Sequence, residues 1–181
     1  MNLSNGEKLI LMMLADIYEK LGIDDGFDPE FVRSAVTNDQ AWGFSWRYPG
    51  IPFDNIEEPA VVKEVLDILD MWSFIEYGYE QLDDSQKEKL LVDLDQTESF
   101  VRFGGFDYNN NSEHVSAMNF IINDLDRYTE FKGRYLNTHT MTSLHRYREM
   151  LEVFKNVRER MELGLNGLSY NNLYALLDPK N

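Results

Sequence analysis

Arg134 and His139, which lie five residues apart in the segment RYLNTH, are of the types that chemistry on phosphate groups uses. An arginine stabilises the charge that develops on a phosphate, and an imidazole accepts or donates a proton. A carboxylate would complete such a site, and Glu76 and Asp107 are the two candidates. One hypothesis is therefore a hydrolase-like pocket that acts on a phosphate-containing substrate.

The spacing of Arg134 and His139 resembles the loose pattern of the HEPN-type helical ribonucleases. However, an arginine and a histidine at such a distance also occur often by chance. The helix signal over Leu136–Thr140 is weak, and the acidic charge of the chain opposes binding of a polyphosphate. We therefore keep a ribonuclease-like enzyme as an alternative and lean towards a protein without catalytic activity.

Glu76 is also notable because it lies at an angle between Val65 and Leu69, inside the apolar stripe of a predicted helix. A buried charge without a partner is costly, so we expect an arginine from the second part of the chain to pair with it. The candidates, in order, are Arg146, Arg158 and Arg102. Two interpretations stay open, namely an internal ion pair that fixes helix packing and a polar pocket with a perturbed carboxylate.

Residues that bind metals or cofactors do not form a convincing set. Cysteine is absent. His145 and Glu149 share a helical face, but that face is polar and no third ligand accompanies them. Arg102-Phe103-Gly104-Gly105 lacks the spacing of a phosphate-binding loop or a dinucleotide fingerprint. We predict no metal and no cofactor.

An aromatic segment over residues 41–53, AWGFSWRYPGIPF, has prolines and a glycine that argue against regular structure. It has two interpretations: a lid that closes one end of the core, or an exposed contact surface, because Trp, Tyr and Arg contribute strongly to protein interfaces. The candidates for the contact surface are Trp42, Trp46, Arg47 and Tyr48.

The element that must position these residues is a helix predicted over Glu57–Leu82, which is apolar around most of its circumference and is expected at the centre of the fold. A first helix over Asn5–Leu21 is expected to bury a stripe of Ile10, Leu14, Ile17 and Leu21. The remaining helices are predicted from Asp28 and Pro29, from a capping box at Ser85 and Glu88, over Ser112–Phe131, over Ser143–Leu163 and over Ser169–Leu177. About seven helices and no alternating pattern predict one all-α domain over residues 1–181.

Charge divides the chain of 181 residues into two parts. The net charge is −15; residues 1–100 contain 22 acidic and 7 basic side chains, whereas residues 101–181 contain 10 of each. The acidic excess disfavours direct binding to nucleic acid. No signal peptide and no membrane-spanning run is expected, so a cytoplasmic location is the default.

Several segments together resemble a known family. They are LILMMLADIYEKL, WRYPGI, VLDILDMWSFIEYGYEQL, the GFD turn at Gly105–Asp107, RYTEF and YREML. Their order is similar to that of the YfbU family over about Leu3–Leu177. The resemblance implies a helical bacterial protein of the cytoplasm without an agreed activity, and it supplies no catalytic residues.

The absence of a convergent catalytic set favours a non-enzymatic protein–protein interaction or regulatory module. Because the acidic part and the arginine-containing part can pair within or between subunits, a homodimer is the expected form. Besides the phosphate-directed enzyme, a third hypothesis is an acidic mimic that occupies the basic site of a nucleic-acid-binding partner. That function would need the acids of residues 54–98 on one exposed face.

Overall fold

In a computed structural model, residues 3–53, 57–138, 143–160 and 168–179 are described, and regular structure in these ranges is helical. The eight α-helices there are α1 (Asn5–Lys20), α2 (Pro29–Thr37), α3 (Gly43–Arg47), α4 (Ala60–Gln81), α5 (Asp84–Asp93), α6 (Ser112–Asn119), α7 (Ser143–Arg160) and α8 (Tyr170–Leu177). Within the same ranges, β pairing is limited to an isolated bridge between Phe106 and Asn137. The predicted all-α class is confirmed.

Local capping signals set several helix starts. The capping box of Ser4 and Glu7 opens α1 as predicted. Asp28 caps α2 by accepting hydrogen bonds from two backbone amides, with Pro29 in the first turn. At α5 the prediction was wrong, because Asp83 and Gln86 form the capping box instead of Ser85 and Glu88. Two overlapping S/D-x-x-E/Q patterns compete there, and the sequence does not rank them.

The helix predicted over Ser112–Phe131 ends early. After α6 the chain forms one π-helical turn over Phe120–Asp124 and then a 3₁₀ turn over Thr129–Phe131. Asp126 and Tyr128 between them have φ angles of +52° and +50°, in the left-handed region. Because neither residue is a glycine, this stop carries no ordinary sequence signal.

The chain divides into two compact units, and the first contains residues 3–53, 57–63 and 116–132 of the described chain. In this unit α1 packs on α2, and α2 contacts α3 and the π-helical turn. Its aromatic core is built around Phe31, whose ring contacts Phe44, Tyr48 and Phe120.

The second unit contains residues 64–115, 133–138, 143–160 and 168–179 of the described chain. There α8 contacts both α5 and α7. The predicted stripe of α4 is buried, as expected for a central helix: Val65, Ile68, Leu69, Trp72, Ile75 and Tyr79. Trp72 contacts the rings of Phe103 and Tyr147. The single-domain organisation expected from the sequence stays a prediction.

The predicted core stripe of α1 was wrong. Ile10, Leu14, Ile17 and Leu21 are between 49% and 69% exposed, whereas Ala15 on another face of α1 is buried. α2 packs on α1 from the side of Ala15. An amphipathic stripe identifies the apolar face of a helix, but it does not show whether another part of the chain covers that face.

Candidate functional site

Glu76 is the predicted site residue with the densest set of contacts. It lies on α4 in the second unit, is 6% exposed, and both of its carboxylate oxygens accept hydrogen bonds. Arg134 Nη1 donates to Oε1 at 2.8 Å and to Oε2 at 2.9 Å. The backbone amide of Phe103 donates to Oε1 at 2.8 Å, and Arg102 Nη1 lies 3.4 Å from Oε2. The carboxylate is therefore enclosed by donors, which is the arrangement of an internal ion pair.

Two neighbouring chain segments bring these donors to Glu76. The bridge between Phe106 and Asn137 sets residues 103–107 beside residues 134–138, and the amide of Thr138 donates to the carbonyl oxygen of Phe106 at 3.3 Å. Gly105 allows this approach, because a Cβ atom there would lie 1.9 Å from the Leu136 carbonyl oxygen and its φ angle is +84°. Glycine is the residue that tolerates both conditions.

Arg102 extends the network to the surface. One of its guanidinium nitrogens bonds with Glu80 and also lies 3.4 Å from Glu98. The hydrogen bond from Arg102 holds the pKa of Glu80 below its ordinary value. The network thus links α4 to the 3₁₀ turn over Glu98–Val101.

The expected partners of Glu76 need correction. Arg102 does contact Glu76, but the closest arginine is Arg134, which the sequence had indicated as a catalytic candidate. Arg158 instead bonds with Asp70 at 2.6 Å, and the Arg146 guanidinium stacks on the ring of Phe100. The helical angle of Glu76 predicts that its carboxylate faces the core, but it does not predict which neighbouring segment supplies the arginine.

A second ion-pair cluster was not predicted. Arg148 Nε and Nη2 donate to the two oxygens of Glu64 at 2.6 and 3.0 Å, and His114 Nε2 lies 2.7 Å from Glu64 Oε2. The hydrogen bond from Arg148 is the main cause that lowers the pKa of Glu64 to about 2. The only sequence signal for this cluster was the division of charge, with acids on the central helix and arginines after residue 100.

Of the four catalytic candidates, the structure brings Arg134 and Glu76 into direct contact. His139 lies outside the described residues. Arg134 is bonded to Glu76, while Asp107 accepts hydrogen bonds from the backbone amide of Asn109 at 3.1 Å and from the side chain of Asn110. Asp107 therefore closes its own turn.

His145 and Glu149 lie at the surface, on the polar helical face that the sequence predicted for them. His145 Nε2 lies 3.4 Å from Glu149 Oε1, and the His145 side chain is largely exposed. In the part of the chain that the structure describes, no group of three or more His, Cys, Asp or Glu side chains could hold a metal ion.

The aromatic segment packs into the first unit, and Trp42 as an exposed contact residue was wrong. Trp42 is 3% exposed, its indole nitrogen donates to Gln40 Oε1, and its ring contacts Phe120. The short helix α3, which the sequence did not predict, turns Trp42 and Phe44 inward. Gly43 makes room, since a Cβ atom there would lie 2.4 Å from the Phe120 ring.

The other three residues of this segment also have partners within the first unit. Trp46 donates to Glu58 Oε1 at 2.6 Å. Arg47 pairs with Asp28 at 3.3 Å, and the hydroxyl group of Tyr48 accepts a hydrogen bond from the Asp28 amide at 3.0 Å. The segment is therefore a cover over the core of this unit, and only Arg47 among the four is classed as exposed.

Among the described residues, the main exposed apolar surface lies on α1. Six large apolar side chains on this helix and at its C-cap are between 49% and 69% exposed: Leu9, Ile10, Met13, Leu14, Ile17 and Leu21. We name these six residues the α1 face. Isolated exposed apolar residues are common, but a contiguous group on one helix indicates an interaction surface.

Two shallow grooves border the α1 face within the first unit. One, of about 400 Å³, lies where Ile10 and Leu11 meet Phe44 and Phe53. The other, of about 280 Å³, has Leu14 and Tyr18 on its walls. Both are lined mainly by apolar side chains, with Glu7 on the wall of the first, and both include Leu11, so the face continues into a concave surface.

These features define an all-α protein with ion-pair networks in its second unit and, among the described helices, an exposed apolar face on α1. None of the helices that the structure describes is long and apolar enough to cross a membrane. The chain belongs to the YfbU family, because the family model of the YfbU domain matches residues 1–173. The resemblance seen in the sequence is confirmed over nearly the whole chain.

Proposed function

We propose that this protein is a non-enzymatic protein–protein interaction module that acts as a homodimer, with the α1 face as the contact between two copies. The observation that carries the proposal is the exposure of that face. The six half-exposed apolar side chains of this face expose on the order of 500 Å² of apolar surface to water. Ile23, Phe27 and Ile51, which are 37% to 48% exposed, enlarge it.

The area supports a second copy as the occupant. Two such faces together would remove on the order of 1,000 Å² or more from water, which reaches the range of specific interfaces. The spacing of Ile10, Leu14, Ile17 and Leu21 alternates between four and three residues, which is the pattern of a helix that packs along another helix. A copy of the chain supplies the same stripe, and a twofold axis makes it self-complementary.

Three of the five charged residues of α1 are paired within the first unit, whereas Lys20 lies at the helical angle of Leu9 and Met13, at the C-terminal end of the face. Lys8 pairs with Asp39, and Arg33 pairs with both Asp16 and Glu19, all within the first unit. The centre of the face therefore has no charge to desolvate on association. The net charge of −15 still repels two copies at long range, so added salt should strengthen the dimer.

Leu14→Glu tests the proposal because it places a carboxylate in the middle of the face in both copies. Half-burial of one leucine contributes about 1 kcal/mol, so the two copies lose about 2 kcal/mol before the charges are counted. The dimer dissociation constant should rise at least about 30-fold. Val92→Glu is the control, since Val92 on α5 is an apolar residue that is 71% exposed, against 53% for Leu14. Sedimentation equilibrium over a concentration series measures both.

Cysteine cross-linking tests the geometry. An antiparallel pair centred between Met13 and Leu14 sets Ile10 of one copy opposite Ile17 of the other. The chain has no native cysteine, so Ile10→Cys and Ile17→Cys can be joined by a short bismaleimide. A mixture of the two variants should cross-link faster than either alone. A wild-type protein that stays monomeric at high micromolar concentration, at low and at high salt, would refute the homodimer.

The other two hypotheses have less support. A phosphate-directed enzyme needs Arg134 free to meet its substrate, whereas Arg134 is bonded to Glu76. An acidic mimic needs the acids of residues 54–98 on one exposed face, whereas three of the fourteen, Glu64, Asp70 and Glu76, are each paired with an arginine.

A further inference from the structure

Arg146 differs from the other arginines of the second unit. The four others whose side chains the structure describes have carboxylate partners: Arg102, Arg134, Arg148 and Arg158. Arg146 has none among the described residues, and its Nη2 atom is buried without a hydrogen-bond partner there. Its guanidinium carbon lies 3.8 Å from the centre of the Phe100 ring, which covers one face of the cation. Burial lowers the pKa of Arg146.

Trp72 supplies a second donor close to the first. Its side chain is 1% exposed, and its indole nitrogen is buried with no hydrogen-bond partner in the described part of the chain. The guanidinium carbon of Arg146 lies 6.0 Å from the centre of this indole ring. Two N–H groups, one on α4 and one on α7, are thus held near each other without an acceptor.

This arrangement is costly if its role is only to pack helices. A buried donor without an acceptor destabilises the fold, and the half-buried Arg146 also holds its charge without an anion among the described residues. An apolar residue at position 146 would fill the space against Phe100 without that cost. Groups that keep such a cost are concentrated at binding sites.

We propose that Arg146 and the indole nitrogen of Trp72 bind a small oxyanion, of the carboxylate or phosphate class. Both groups only donate hydrogen bonds, so the ligand must only accept them. An anion with two or more oxygens can accept one hydrogen bond from each donor. Because Phe100 covers one face of the guanidinium, the ligand approaches its edge, where a planar carboxylate or a phosphate fits best. This site is separate from the α1 face and does not depend on the homodimer.

Indole N–H signals in ¹⁵N NMR spectra provide the test. The chain has three tryptophans, and two of them are internal controls, because Trp42 donates to Gln40 and Trp46 donates to Glu58. Acetate, inorganic phosphate and chloride are titrated separately at constant ionic strength. We expect a saturable shift of the Trp72 signal with acetate or with phosphate, and unchanged signals from Trp42 and Trp46. Which of the two binds more tightly identifies the ligand class.

Two variants make the result specific to Arg146. Arg146→Met should abolish saturation, and Arg146→Lys, which keeps the charge but not the planar fork, should weaken binding at least tenfold. Arg158→Met is the control, because Arg158 is an exposed arginine of the same helix and pairs with Asp70. Trp42 and Trp46 report on the first unit, so the fold of the second unit in each variant is checked by its backbone amide signals in the same spectra.

Three outcomes would overturn the site: no saturable shift of Trp72 with any anion, chloride binding as tight as that of both oxyanions, or full affinity in Arg146→Lys and Arg146→Met. In any of these cases the two N–H groups serve aromatic packing alone.

Discussion

Replacing Glu76 with glutamine tests whether the ion pair on α4 contributes to stability as a buried pair does. The change keeps the shape of the side chain and an acceptor for the Phe103 amide, but it removes the charge that Arg134 and Arg102 face. Breaking a fully buried pair costs about 3–5 kcal/mol. The Arg134 and Arg102 side chains are 33% and 35% exposed, so water compensates part of the loss and we expect about 2–3 kcal/mol.

A double-mutant cycle separates the pair from its surroundings. The free energy of unfolding is measured by urea denaturation for the wild type, Glu76→Gln, Arg134→Met and the double variant. We expect a coupling free energy of about 1–2 kcal/mol. The same cycle on Asp70 of α4 and Arg158 of α7, a more exposed pair of the second unit, should give less than about 1 kcal/mol. A coupling free energy of Glu76 with Arg134 that is no larger than that of Asp70 with Arg158 would contradict a stabilising buried pair.

Two further changes test other contacts in the second unit. Gly105→Ala should destabilise the protein by more than about 3 kcal/mol, because the left-handed backbone and the Leu136 carbonyl both oppose a side chain, whereas Gly133→Ala, with a φ angle of +80° and open space, should cost about 1 kcal/mol. Equal losses in urea denaturation would contradict the close approach. Glu64→Gln should cost about 2–3 kcal/mol at pH 6, because the folded-state pKa of Glu64, about 2, lies below its ordinary value of 4.5. That difference is complete above pH 4.5 and should disappear as the pH falls towards 2, and a constant difference over this range would exclude the ion pair as its cause.

Much of the helical framework could be predicted because its signals are local. Ser4 with Glu7, and Asp28 with Pro29, act on backbone groups only a few residues away, and both were confirmed. The apolar stripe of α4 was predicted correctly as buried, because a helix with apolar residues on most sides has little choice but to be covered. The family membership was equally readable, since it depends on the order of several segments.

The placement of charges could be predicted only in part. The inward angle of Glu76 follows from helical periodicity, and so does its need for a cation. The identity of that cation does not, because Arg134 reaches it from a non-helical segment that is held by Gly105 and the neighbouring backbone. Arg146, first in the predicted order, stacks on Phe100 instead.

For this protein the sequence by itself determined where most of the helices lie, which faces of the helices are apolar, and that acids and arginines occupy different parts of the chain. Tertiary structure decided what meets each face. The stripes of α1 and α4 have the same periodicity, yet one is exposed and the other is buried. Periodicity arises within one helix, whereas coverage depends on how distant segments pack, so an interaction surface and a core stripe look alike until the neighbours are known.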